Sequence, residues 1–179
     1  DYALISTFGR LLYNYDEKYL FSATIRRDGS SNFGENNRFG VFPSASLGWV
    51  ASKEDFLKDS DKISFLKVRA SWGVNGSDRI SALSYVARIQ NVFTYPFGTT
   101  EQTINTGTAL AAPPNPNVRW EESEQLDLGV ELGLFDDKLT LEADVYRKRT
   151  KDLLMTQQIP GYVGATNNPT SNLGEILNE

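Results

Sequence analysis

The sequence predicts an all-β fold of antiparallel strands. Apolar residues recur at every second position over several stretches, which is the period of a strand with one apolar and one polar face. These stretches are about ten residues long, the length that crosses an outer membrane at a tilt. Short turns between them alternate with long loops, as in outer-membrane proteins. Together these observations indicate a fragment of about six to seven strands from a large transmembrane β-barrel.

The most regular stretch covers residues 118–150. With Asp136-Asp137 as a two-residue loop, the leucines of its two halves face each other and a one-residue slip would set apolar against polar side chains. The same register places Glu131 opposite Glu142, an unfavourable pair that predicts a wet polar face. We expect five residues to face lipid, namely Leu128, Val130, Leu132, Leu141 and Ala143. Arg147 and Arg149 continue that face and are predicted either to meet lipid phosphates or to be exposed to solvent above the membrane.

Further strands are predicted at residues 3–15, 19–27, 42–51 and 64–74, with a short strand at 85–89 and a last strand starting at 172. Aromatic residues at the strand ends suggest the girdles of a barrel. Around the turn 16–18 these are Tyr13, Tyr15, Tyr19 and Phe21, and beside the long loops they are Trp72 and Trp120. The residues expected to face the lumen are Arg26, Lys67, Arg69, Asp127 and Asp144.

Composition excludes several classes of function. The 179 residues carry a net charge of −5 with both signs dispersed, so no basic footprint for nucleic acid is present. Cysteine and histidine are absent, which rules out disulfides, Cys/His zinc sites and Ser-His-Asp triads. We therefore expect neither a metal nor a cofactor. No apolar run is long enough for a transmembrane helix, and both chain ends look like cuts through a larger protein.

Three long loops are predicted at about 28–41, 75–117 and 151–171, on the extracellular side of the barrel. The second contains aromatic residues that could stack on a sugar or pack against the loop itself, namely Tyr85, Phe93, Tyr95 and Phe97. Soluble sandwiches also alternate with period two, so a soluble surface β-sandwich binding module is the alternative reading.

Paired carboxylates raise the question of a glycosidase, which needs two carboxyls facing each other across a cleft. The candidates are Glu121, Glu122 and Glu124 at one strand end and Asp136 and Asp137 in a tight turn. Aspartate is common in turns for backbone reasons. We therefore expect no enzyme.

Several long motifs resemble the SusC/RagA family of TonB-linked outer-membrane transporters. They are YLFSATIRRDGSSNFG at 19–34, NRFGVFPS at 37–44, GW at 48–49, ISFLKVRASWGVNG at 63–76, NPNVRWE at 115–121 and YRKRTKDLL at 146–154. They cover most of the chain, in the order of the family. Residues 76–113 match no motif of the family, as expected where loops carry specificity.

The resemblance implies a 22-stranded barrel in the bacterial outer membrane, filled by a plug that this chain lacks. It also implies import of nutrients, oligosaccharides or peptides, beneath a SusD-like lipoprotein lid. Energy would come from TonB, through regions outside this chain. Lipid of the outer membrane would surround the barrel, and nucleic acid would play no part.

Overall fold

The computed structural model describes residues 2–58, 60, 62–98 and 103–179. In chain order its strands are β1 (Leu4–Tyr15), β2 (Tyr19–Ser30), β3 (Phe39–Val50), β4 (Ile63–Ser77), β5 (Ile89–Phe97), β6 (Thr103–Leu110), β7 (Glu121–Leu134), β8 (Leu139–Lys151), β9 (Leu154–Thr156), β10 (Thr170–Asn172) and β11 (Glu175–Asn178). Three 3₁₀ turns cover Glu35–Asn37, Ala51–Lys53 and Gly161–Val163. Among these described residues, no helix is long and apolar enough to cross a membrane.

Seven strands form one antiparallel sheet in the order β1-β2-β3-β4-β7-β8-β11. Strands β5 and β6 form a separate hairpin inside the second long loop, and β9 pairs with β10 inside the third. Within the described part of the chain, β1 and β11 are the two edges of the main sheet, which does not close on itself. The prediction of an all-β chain with about six to seven antiparallel strands in one sheet is confirmed.

The register predicted for the β7–β8 hairpin is confirmed. Leu134 lies opposite Leu139 and Leu128 lies opposite Val145, and Glu131 faces Glu142 as expected. The turn between them has Asp136 and Asp137 at its centre, with φ of 56° and 57°. Asp tolerates this left-handed conformation better than most residues. The backbone N–H of Lys138 closes the turn by donating to the Phe135 carbonyl at 3.3 Å.

The predicted loop boundaries need correction. The first long loop is shorter than 28–41, because β2 continues to Ser30 and β3 starts at Phe39. The second starts after Ser77 and contains the β5–β6 hairpin, so the short strand predicted at 85–89 is wrong and starts at Ile89 instead. The strand was missed because Pro96 and the Gly, Asn and Thr residues of the neighbouring β6 are typical of loops. The last strand of the main sheet starts at Glu175, three residues later than predicted.

The strands are staggered as a barrel requires. One hydrogen-bonded row crosses the sheet through Tyr19, Trp49, Val68, Val130 and Ala143. Tyr19 is the first residue after its short turn, whereas Ala143 lies four residues beyond Leu139, the first residue after the β7–β8 turn. The stagger is therefore one residue per strand step over four steps. A rise of about 3.3 Å over a strand spacing of about 4.8 Å corresponds to a tilt of roughly 35°, which lies in the range of outer-membrane barrels.

A compact cluster closes the long-loop end of the sheet. Its buried members are Phe33, Phe42, Val118 and Trp120, and Val74, Ile80, Tyr85 and Leu154 pack against them. The Trp120 ring lies 5.2 Å from that of Phe33 and 5.3 Å from that of Phe42. Its indole N–H donates to the Arg38 carbonyl at 3.2 Å. Trp120 was predicted as a girdle residue, and this is wrong: it precedes β7 and is 6% exposed.

This cluster is predicted to hold the loops over the sheet. Phe33→Ala removes a completely buried ring and should destabilise the loop region by about 3–5 kcal/mol. In the intact protein in detergent, limited proteolysis should then cut within 31–38 and 111–120 much faster than in the wild type. Tyr162→Ala, at a position 90% exposed, is the control and should leave the cleavage rate unchanged. Equal protection of both variants would contradict a structural role for the cluster.

Candidate functional site

The polar face of β4, β7 and β8 carries a network of ion pairs centred on Arg69. Its guanidinium lies 3.2 Å from Glu131, 2.5 Å from Glu142 and 2.8 Å from Asp144. Lys67 reaches Glu131 at 3.2 Å as well. We call these five residues the Arg69 network. Arg69 lies between the two glutamates that the register sets opposite each other, so it relieves the repulsion expected for that pair.

A glycine makes room for the Arg69 network. Gly129 lies opposite both Arg69 on β4 and Asp144 on β8. A Cβ atom at this position would collide with the Asp144 carboxylate and with the Arg69 guanidinium and stem. The missing side chain therefore lets an arginine from one strand reach a carboxylate two strands away.

The remaining predicted lumen residues have local partners. Asp127 accepts hydrogen bonds from the Ser71 hydroxyl at 3.1 Å and from the Gln125 amide at 2.8 Å. Arg26 forms a bidentate pair with the buried Asp28, two residues further along β2. The structure thus brings together Arg69, Asp144 and Lys67, while Arg26 and Asp127 lie outside that group.

Two members of the network, Glu131 and Glu142, were absent from the predicted set of lumen residues. A signal for them existed, because the register had already placed the two like charges face to face. Two carboxylates that face each other are stabilised by a nearby cation. Arg69 and Lys67 are the cations on the same face of the neighbouring strand. The network holds two positive and three negative groups, so it is slightly acidic.

The opposite face of the sheet is apolar. The five residues predicted to face lipid all lie on it, since Val130 pairs with Ala143 and Leu132 with Leu141, and Leu128 occupies the next position on the same side. Neighbouring strands add Val68, Ala70 and Leu47 in the same rows. Leu128 and Leu141 are each about half exposed. No described element packs over them, which leaves a continuous apolar surface.

At the short-turn end, Glu54 binds the polar groups of two aromatic residues, Tyr19 and Trp49. Its carboxylate accepts hydrogen bonds from the Tyr19 hydroxyl at 2.6 Å and the Trp49 indole at 3.2 Å, and Lys18 approaches at 3.3 Å. These hydrogen bonds, that of Tyr19 first, lower the pKa of Glu54 below its ordinary value. A lowered pKa means that the contribution of Glu54 to stability is present at neutral pH and lost as the pH falls through that value.

The loop aromatics separate into two groups. Phe93, Tyr95 and Phe97 lie on one face of β5 and are 60%, 50% and 69% exposed. Their backbone partners on β6 are the small or polar residues Gly107, Asn105 and Thr103. Tyr85 instead packs against the buried cluster at the end of the sheet. Three of the four predicted residues therefore form one exposed stripe, which we call the β5 aromatic stripe.

The candidate glycosidase carboxylates do not meet. Glu121 accepts a hydrogen bond from the Leu154 backbone N–H at 3.0 Å, and Glu124 accepts one from the Trp72 indole at 2.9 Å. Asp137 accepts one from the Ser64 hydroxyl at 2.7 Å, at the opposite end of β7. Each group thus serves its own strand end or turn. The described residues contain no cluster of acidic side chains that could hold a metal ion.

A sheet of tilted strands with one charged and one apolar face fits the wall of a membrane barrel and also occurs in soluble sandwiches, and comparison with known proteins decides between the two. Residues 1–178 match the family described as TonB dependent receptor-like, beta-barrel. The chain belongs to this family. TonB-dependent receptors are outer-membrane transporters and not enzymes, so the predicted localisation and the absence of an enzymatic role are confirmed and the soluble sandwich is wrong.

Curated relatives narrow the family further. The chain is 43% identical over 98% of its length to TonB-dependent receptor P3 of Formosa agariphila, and 37% identical over 98% to TonB-dependent receptor SusC of Bacteroides thetaiotaomicron. It spans 17% of the length of each of these relatives. The resemblance to SusC inferred from the motifs is therefore confirmed.

A solved structure gives the same answer for the fold. The RagAB peptide transporter matches 98% of this chain with a TM-score of 0.81 at 27% identity, and the match covers 19% of the RagAB chain. The fold implied by the sequence motifs therefore agrees with the fold of the structure.

The Arg69 network yields a prediction about coupled charges. Arg69→Met leaves Glu131 and Glu142 opposite each other without their shared cation, so the intact barrel should lose thermal stability. Glu142→Gln in the same background removes the repulsion and should recover part of the loss, which makes the two changes non-additive. Thermal unfolding of both single variants and the double variant measures the coupling. Strictly additive effects would show that Arg69 does not bridge the pair.

Proposed function

We propose that the intact protein imports a nutrient across the outer membrane, driven by TonB. The observation that carries the proposal is the match of the whole chain to the TonB-dependent receptor barrel family, together with relatives named SusC and RagAB. Since this chain spans under a fifth of those relatives, the activity belongs to the complete barrel. In this proposal the chain contributes part of the barrel wall and three of its long loops.

In this proposal the polar face lines the lumen and the apolar face meets lipid. The Arg69 network and Asp127 would then line a hydrated interior, against a plug or a passing solute. Support comes from the chemistry of the faces: five charged groups in ion pairs tolerate water, whereas the leucine and valine rows opposite them suit hydrocarbon. Arg26, near the long-loop end, would lie at the outer mouth.

The proposed substrates are oligosaccharides or peptides, captured with a SusD-like lipoprotein as a lid. One relative is named SusC and one is a peptide transporter. The β5 aromatic stripe supports substrate capture, because flat exposed rings stack on sugar faces and on apolar peptide side chains alike. The three long loops, at about 31–38, 78–120 and 152–174, would lie on the extracellular side.

Uptake by cells tests this proposal. A strain lacking the gene should lose growth on one or a few members of a panel of oligosaccharides and peptides as sole nutrient, and the wild-type gene should restore it. Removal of TonB should abolish the same growth, since import needs its energy. Growth of the deleted strain at the normal rate on every member of the panel would contradict the proposed function.

The β5 aromatic stripe gives a more specific prediction. Combined replacement of Phe93, Tyr95 and Phe97 by Ala should weaken substrate capture by roughly 100-fold, at about 1 kcal/mol for each ring. The level of the protein in the outer membrane should not change, because the rings are exposed. Tyr162→Ala, on a different exposed loop, is the matched control. Uptake by the triple variant equal to that of the control would exclude the stripe from substrate binding.

A further inference from the structure

One charged side chain interrupts the apolar face of the first three strands. That face consists of six alternate positions on each strand: Ile5, Thr7, Gly9, Leu11, Tyr13 and Tyr15 on β1, Tyr19, Phe21, Ala23, Ile25, Arg27 and Gly29 on β2, and Phe39, Val41, Pro43, Ala45, Leu47 and Trp49 on β3. Arg27 is the only charged residue among these eighteen described positions. Its cross-strand neighbours are Thr7 and Val41, neither of which can neutralise it.

Arg27 lies on a platform formed by Phe39 and Gly29. The guanidinium carbon is 4.1 Å from the centroid of the Phe39 ring, which is a cation–π contact. Gly29 leaves the space for this ring, because a Cβ atom there would collide with two of its carbon atoms. The Phe39 ring covers one face of the Arg27 guanidinium. The N–H groups of a guanidinium lie in its plane, so they stay available to a ligand at the edge. Within the described residues, Arg27 forms no ion pair.

The height of Arg27 is that of a membrane boundary. It follows Tyr19 by eight residues, and Arg147 follows Leu139 by eight residues on the second hairpin, each after four uncharged positions on the same face. At about 3.3 Å per residue and a tilt of roughly 35°, both arginines lie about 22 Å above the short turns. The apolar band of an outer-membrane barrel is about 25 Å tall. Side chains at this level reach the lipid phosphates, since long basic residues extend towards the interface.

Arg27 and Arg147 differ in whether a carboxylate lies next to them. Arg147 pairs with Glu179 at 2.9 Å, and Arg149 pairs with Glu175 on β11. Both Arg147 and Arg149 therefore have a carboxylate partner in or next to β11, and their contact with lipid phosphates stays a prediction. Arg27 has the same height and the same face, but no carboxylate partner among the described residues.

We propose that Arg27, held flat on Phe39, binds a phosphate group of an outer-leaflet glycolipid. A guanidinium in a fixed plane matches two phosphate oxygens at once, which a lysine cannot do. The apolar positions below it, Ile25 and Pro43, suit the acyl chains of the same molecule. This proposal rests on the position of the sheet in the outer membrane and is independent of the substrate that the transporter imports.

Binding of lipid A to the intact transporter tests the proposal. The protein is purified in an uncharged detergent and titrated with phosphorylated lipid A, with enzymatically dephosphorylated lipid A and with inorganic phosphate, and bound molecules are counted by native mass spectrometry. Arg27→Gln should weaken the highest-affinity binding of phosphorylated lipid A about tenfold, the loss expected for a charge-assisted bidentate contact. Arg10→Gln, which removes the same charge from the opposite face of β1, should leave it unchanged.

Further variants separate the possible origins of binding. Phe39→Leu and Arg27→Lys should each give an intermediate loss, because each breaks the stacked plane while keeping a fold-compatible side chain. Unchanged affinity in Arg27→Gln, or equal binding of dephosphorylated lipid A, would overturn the proposal. Saturation of the site by inorganic phosphate alone, with lipid A unable to compete, would likewise overturn it by identifying a free anion as the ligand.

Discussion

The structure depends on one constraint, the period-two register of an antiparallel sheet across its long strands, which shifts at a bulge between Ile63 and Phe65. Rows such as the one through Val68, Val130 and Ala143 are apolar throughout, whereas rows nearer the long loops mix types, as where Leu126 lies opposite Arg147. A slip of one residue in β4 would bring Arg69 into the apolar face, and the same slip in β8 would bring Asp144 there. Membrane hydrocarbon offers such charges no partner. In the proposed orientation, a sheet with the wrong register could therefore not insert into the membrane.

On the polar face, the fixed register brings like charges close together. Charges there are close enough to repel, and the Arg69 network resolves the repulsion by reaching across three strands over Gly129. The apolar face has no such need, and in the proposed orientation its arginines Arg27 and Arg147 lie at the level where the membrane ends. The stagger of one residue per strand places that level at the same height on both hairpins, although their short turns are four residues apart along the rows.

Much of this was predictable from the sequence, and the exceptions have physical causes. Alternation predicted the register of β7 and β8, because leucine against glutamate leaves one consistent pairing. It misassigned Trp120, since alternation continued past the point where the strand ends and a ring buried against Phe33 looks the same in sequence as a ring at an interface. The β5–β6 hairpin was missed because Pro96 on β5 and the Asn, Gly and Thr residues of β6 are typical of loops. Gly129 was missed because the reason for its missing side chain lies on two other strands.

Two neighbouring residues test the central claim most directly. Ala70 and Ser71 are similar in size and adjacent on β4, with Ala70 between Leu47 and Leu128 on the apolar face and Ser71 between Ser46 and Asp127 on the polar face. In the intact barrel folded into lipid vesicles, Ala70→Arg should cost about 2 kcal/mol of folding free energy, because a charge there lies within the apolar band, above its midplane. Ser71→Arg, beside Asp127, should cost about 1 kcal/mol or less. Equal costs for the two arginines, measured by denaturant-induced unfolding, would contradict the assignment of the faces.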